Sequence, residues 1–174
     1  TKNTGLVVTF DTNSNGGIHP QRKMPVGERS ARWALAEVYK INGYGNKSIE
    51  WRGPVYKSME VKDGKITIRF KEDTDRGLLL DQDVEVGFYV AAKDREFHHA
   101  RARVNRGDHT VVVWKDEIKD PVAVRYGWSD LPAGGLMNAR ELPAYPFRTD
   151  DWPMTPHQST GSYDVNAPDS LREE

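Results

Sequence analysis

The sequence contains no cysteine. Disulfides, thiol nucleophiles and thiolate-held metals are therefore excluded, while the redox compartment stays open. It also lacks any apolar run near the roughly 18 to 20 residues that a spanning helix needs, so no segment reads as a membrane span. Neither sign of charge dominates: 25 Lys and Arg against 26 Asp and Glu leave a net charge of -1. That balance offers no electrostatic footprint for nucleic acid, which is set aside as a partner. The chain opens on Thr1 rather than Met, so its natural start is expected elsewhere.

With 37% hydrophobic and 10% aromatic residues, the 174-residue chain can fill a packed core, as one domain or as a domain plus a fragment. Leu6 to Phe10 is a short apolar, β-branched run of the kind that fills a strand buried on both faces. Between Ser30 and Tyr39, Ala31, Ala34, Leu35 and Val38 recur at helical spacing. Residues 40–52, with two glycines and two asparagines, read as the connection out of that helix.

The pattern then changes. Lys65 to Phe70 alternates polar and apolar, and Asp63-Gly64 joins it to Met59-Glu60-Val61, which predicts a β-hairpin. Val84, Val86, Phe88 and Val90 alternate again, and Phe97 to Val104 reads as one weaker strand. Asn105 to Asp108 turns it into Thr110 to Trp114, and Pro121 to Trp128 supplies a last strand. Short strands at this spacing predict an antiparallel β-sandwich or jelly-roll-like domain. Residues 129–152 read as an extended segment laid over the sandwich, and the residues beyond Trp152 as a loosely held polar tail.

Strand, glycine-rich loop and helix in that order place His19 on a loop leaving the C-terminal end of a strand, where open α/β sheets gather reactive groups. At this point the chain resembles the sialate O-acetylesterases, the carbohydrate-esterase branch of the SGNH hydrolases. Ile18-His19-Pro20, Lys23 and Val26-Gly27-Glu28-Arg29 match that family's last catalytic block. Gly53 to Met59, Pro121 to Trp128 and Leu142 to Trp152 continue the match in family order. What they cover is the family's C-terminal part.

The resemblance implies a fold and an activity. The fold is mainly β, with the sandwich preceded by a strand-loop-helix piece of an α/β SGNH-hydrolase domain. Residues 1–50 would be the end of the catalytic domain, 51–152 an accessory β-sandwich and 153–174 the tail. The activity is removal of O-acetyl groups from sugars, sialic acids among them, through a Ser acyl-enzyme, outside the cytoplasm in secreted or periplasmic form. Ser and oxyanion donors would come from the upstream catalytic part of the same protein, and His19 would be the base. No cofactor is implied. The competing expectation is a non-catalytic β-sandwich module that binds glycan or protein.

The orienting acid has two readings. The positions two and three before His19, where carboxylates are common in such enzymes, are Gly17 and Gly16. Either Asp11 reaches His19 through the loop, or a carbonyl orients the imidazole of a Ser-His dyad. Arg22 and Lys23 are candidates to meet a substrate carboxylate, with solvated loop charge as the plainer alternative.

Other residues invite chemistry and have simpler explanations. Ser129, within Gly127-Trp128-Ser129-Asp130-Leu131, resembles a Gly-Asp-Ser-Leu box only superficially, since it follows a β-domain strand. His98-His99 would point to opposite faces of a strand, and His109 and His157 have no partner at ligand spacing, so no metal site is supported. Arg125, Arg148, Asp150 and Asp151 among Tyr126, Trp128, Tyr145 and Trp152 could form a sugar platform. The favoured reading is a latch of ion pairs and buried rings that fastens the C-terminal segment to the sandwich.

Overall fold

The computed structural model describes residues 1–12, 21–80, 87–129 and 134–153. His19 with its loop, Val84, Val86 and most of the tail lie outside the described residues.

The hairpin follows from local chemistry. β1 (Tyr56–Lys62) and β2 (Lys65–Phe70) pair antiparallel from Lys62↔Lys65 outward, with a bulge between Tyr56 and Ser58. Asp63 and Gly64 both take positive φ, 50° and 71°, as the two-residue turn matched to strand twist requires. Ile66, Ile68 and Phe70 face inward and are buried, while Lys65 and Arg69 stay exposed.

Among the described residues there are six further strands: β3 (Phe88–Ala91), β4 (Phe97–His99), β5 (Arg101–Asn105), β6 (Thr110–Trp114), β7 (Ala123–Tyr126) and β8 (Phe147–Arg148). They form two four-stranded sheets in the orders β1-β2-β6-β5 and β4-β3-β7-β8, every pair antiparallel. Ile66, Ile68, Val111 and Val113 from the first sheet share one core with Phe88, Val90, Val124 and Tyr126 from the second. The chain is therefore mainly β, as its alternation predicts.

Three expectations need correcting. Phe97 to Val104 is not one strand: the chain leaves the second sheet after β4 and enters the first as β5. The corner is Ala100, only 1% exposed, whose N–H donates to the Phe88 carbonyl at 3.0 Å. Strands that change sheets do so at such bends, and a methyl side chain fits where two layers meet.

Leu6 to Phe10 does not form a strand among the described residues. Leu6 is 64% exposed, and side chains rather than a neighbouring strand take its backbone groups: the Tyr145 hydroxyl donates to the Leu6 carbonyl at 2.6 Å and Arg29 to the Val8 carbonyl at 2.7 Å. Phe10–Thr12 then closes into a short 3₁₀ turn. An apolar run makes a strand only where another strand supplies its ladder, and none among the described residues lies alongside.

The helix starts earlier and buries a different face. α1 (Met24–Trp33) begins at Pro25's end of the segment, where a fixed φ and a missing N–H suit the first turn. It runs on into a wider π-helical turn, Ala34–Val38. Leu35 and Val38, expected to be covered, are exposed, and the buried residue of α1 is Arg29.

Residues after β7 lie over the sandwich as expected. Met137 bridges both Leu79 and Pro143, and Leu136, Leu142 and Ala144 are buried. Buried Asn138 organises this stretch, its Oδ1 accepting from the Arg140 and Leu142 amides and its Nδ2 donating to the Arg52 carbonyl.

Close approach explains one glycine of the Gly53 to Met59 block. A Cβ at Gly53 would run into the carbonyl oxygens of Leu142 and Pro143, which are backbone and cannot rotate away. Gly53→Ala is expected to cost about 1–3 kcal/mol in urea unfolding. Gly27→Ala is the control with the opposite sign. A Cβ there meets nothing, and helical Gly→Ala stabilises by roughly 0.5–1 kcal/mol.

Candidate active site

The segment that carries His19 lies outside the described residues, but the structure fixes both of its ends on α1. At the entry, the Thr12 hydroxyl and amide both donate to the Thr9 carbonyl, at 2.6 and 3.0 Å, and Thr12 is buried. Asp11 beside it is gripped by Arg29, with Nη1 donating to Oδ1 at 2.7 Å and Nη2 to Oδ2 at 2.6 Å. The same Nη1 holds the Val8 carbonyl. At the exit, Lys23 supplies the carbonyl that accepts from the Val26 and Gly27 amides at 3.1 and 3.3 Å, opening α1.

One side chain therefore ties the start of the loop to the helix that follows it. Arg29 is 7% exposed, and a two-pronged guanidinium–carboxylate contact with that burial fixes direction as well as distance. Asp11 is engaged at both oxygens, so a bond from an imidazole would have to use a second lone pair. Arg22 and Lys23 are exposed at the exit, on the solvent side of the helix start. The role of Arg29 was not legible in the sequence, because its partner stands 18 residues away with no local signal linking them.

The remaining candidates separate clearly. The Ser129 hydroxyl is enclosed and has no hydrogen-bond partner among the described residues, so a substrate carbonyl could not reach it. His98 and His99 are neighbours on β4 and so point to opposite faces. No group of three or more His, Asp or Glu side chains could hold a metal among the described residues.

The polar groups near the C-terminus spend their hydrogen bonds on one another. Arg125 Nε and Nη2 each donate to the Asp150 carboxylate at 2.9 Å, and Arg148 Nη2 donates to it at 2.7 Å. The Arg125 guanidinium also lies 3.9 Å from the centre of the Phe97 ring, and Phe97 packs on Trp152. Tyr126 is buried in the core. This is a latch that fastens β8 onto β7, which leaves little for a sugar.

No protein-family description and no curated relative matches the chain. Among solved structures, it is similar to a carbohydrate acetylesterase from Xanthomonas citri, with a TM-score of 0.70 and 34% sequence identity. The likeness covers 84% of this chain and 32% of that protein. The chain thus spans about a third of that enzyme's length. Sequence and fold agree over the matched region, which extends the resemblance beyond a shared architecture.

Proposed function

We propose that this chain is the C-terminal part of a carbohydrate esterase that removes O-acetyl groups from sugars, of the sialate O-acetylesterase kind. The likeness to a carbohydrate acetylesterase over most of the chain carries this reading. A Ser Oγ supplied by upstream sequence attacks the acetyl carbonyl while His19 takes its proton. His19 then returns the proton to the departing sugar oxygen. In the second half, water attacks the acyl-enzyme with His19 again as base, and acetate leaves. Asp11, held by Arg29, and Lys23, whose carbonyl opens α1, flank the segment that carries His19 in the sequence. The enzyme would work outside the cytoplasm, and Arg22 and Lys23 would face a substrate carboxylate.

The test is acetate release by the full-length protein from O-acetylated sialic acids and from O-acetylated neutral sugars. Release from the sialic acids supports the full reading. Release from neutral sugars alone would keep the esterase and remove the sialate assignment. No release from either would return the chain to a binding module.

We also infer the division at about residue 50. Among the described residues, six of the eight exposed large hydrophobics, Leu6, Met24, Leu35, Val38, Tyr39 and Ile41, fall in the first 41 residues, with only Val61 and Leu79 beyond them, whereas the sandwich buries its own core. Amide hydrogen exchange on the 174-residue chain should show Leu6 to Phe10 exchanging far faster than Val111 to Val113. Equal protection would make the chain one self-sufficient unit.

A further inference from the structure

The outward faces of the two sheets treat their cations differently. On the second sheet Arg125 and Arg148 stand side by side across β7 and β8, and the Asp150 carboxylate accepts from both. Those arginines are spent on the fold. On the first sheet Ile66, Ile68, Val111 and Val113 point into the core, so Lys65 and Arg69 of β2 and Val112 and Trp114 of β6 face the other way. Strand register sets Lys62 beside Lys65, Arg101 beside Trp114 and Arg103 beside Val112. Arg69 meets Glu60 at 4.0 Å and Arg101 meets Asp116 at 3.6 Å, exposed pairs of the kind that contribute little. Lys62 and Arg103 have no ion-pair partner among the described residues, and Lys65 lies 5.3 Å from the centre of the Trp114 ring.

Folding alone does not account for this surface. Cations on edge strands discourage stray pairing, which suits Lys62 on β1 and Arg101 and Arg103 on β5. Lys65 and Arg69 stand on β2, an inner strand, and like charges set opposite one another, as at Lys62↔Lys65, destabilise a sheet. Nor does the face suit another protein domain. Lys is depleted from protein interfaces, and stripping water from these cations costs free energy unless carboxylates match them. Val61, the exposed large hydrophobic of this sheet, pairs with buried Ile66 and so belongs to the opposite side.

We propose that this face docks the protein on an anionic phospholipid bilayer, with Lys62, Lys65 and Arg103 against headgroup phosphates and Trp114 at headgroup level. A four-stranded face spreads its cations over two dimensions, as a headgroup layer does its phosphates, whereas a linear polyanion needs only a single row. Indole suits that layer because its ring is apolar and its N–H polar. Each Lys or Arg close to an anionic surface strengthens binding about fivefold. The docking face is separate from the acetyl chemistry and does not depend on turnover.

The experiment is cosedimentation of the full-length protein with vesicles of phosphatidylcholine alone, or with roughly a quarter phosphatidylglycerol, at about 0.05 M and about 0.5 M salt. Binding to the anionic vesicles at low salt is expected, with neutral vesicles and high salt each weakening it about tenfold or more. Lys62→Gln with Lys65→Gln should weaken it roughly 25-fold and Arg103→Gln about fivefold. Lys2→Gln with Lys47→Gln, a charge-matched change outside the sandwich, should leave it within about twofold. All these side chains are exposed, so circular dichroism should show the variants folded. Absence of binding, equal binding to neutral vesicles, an unchanged Lys62→Gln, Lys65→Gln variant, or an equal loss in the control would each overturn the proposal. Release from the vesicles by a charge-equivalent amount of duplex DNA would assign the face to nucleic acid, and would overturn it too.

Discussion

Replacing Tyr126 with alanine is expected to bring the chain to the edge of unfolding. Its side chain is among the largest that are fully buried, and it packs on rings of its own sheet and of the N-terminal segment within the shared core. Ring centroids lie 4.6 Å from Phe88, 5.8 Å from Phe147 and 6.4 Å from Phe10. Removing such a ring costs about 3–5 kcal/mol through lost burial and the cavity left behind. The hydroxyl oxygen also accepts from the Leu136 amide at 3.1 Å, and a buried N–H left without a partner costs a further ~1–3 kcal/mol. Domains commonly have only about 5–15 kcal/mol in total. Tyr126→Phe keeps the ring and should lose only the smaller amount. Urea midpoints of the two variants check this, and a Tyr126→Ala loss below about 1.5 kcal/mol would contradict the packing described.

The second large effect is expected at Asp150. Its side chain is 1% exposed and is the common acceptor for Arg125 and Arg148. Asp150→Ala leaves two enclosed guanidinium groups facing each other, and breaking a buried pair from one side typically costs about 3–5 kcal/mol. Acid should act on the same group. Burial alone would raise its pKa, but the hydrogen bonds and charge of Arg125, then the charge of Arg148, outweigh it and hold the carboxyl below 3.8. A depressed folded pKa means the contribution is present above the unfolded value and fades as pH falls through the folded one. Wild-type stability should therefore drop below about pH 3.8, and Asp150→Ala should lose less over the same interval. Parallel acid curves for the two proteins would show the latch to be dispensable.

What could be read from sequence divides along a physical line. The hairpin was legible because Asp63-Gly64 and the alternation of Lys65 to Phe70 act within a few residues of each other. The latch was legible as a cluster, because Arg125 and Asp150 each sit among aromatics that had to be buried somewhere. The break at Ala100 was hidden, since the alternation runs through it and only the closure of two sheets decides which one each half joins. Leu6 to Phe10 misled because its composition describes a buried strand while pairing depends on what lies alongside. Arg29 was quoted only as part of a motif, and its grip on Asp11 emerged from the fold. For His19 the structure supplies the two anchored ends of the loop, and its chemistry rests on the family resemblance.

That chemistry has a direct test. In the full-length protein, acetate release from an O-acetylated sugar should be measured for wild type and for His19→Ala, with substrate binding and circular dichroism followed in parallel. Loss of a positioned general base lowers kcat/KM by roughly a hundredfold to ten-thousandfold while leaving the fold and substrate affinity in place, and that is the result expected here. A folded His19→Ala protein that releases acetate at the wild-type rate would contradict the account.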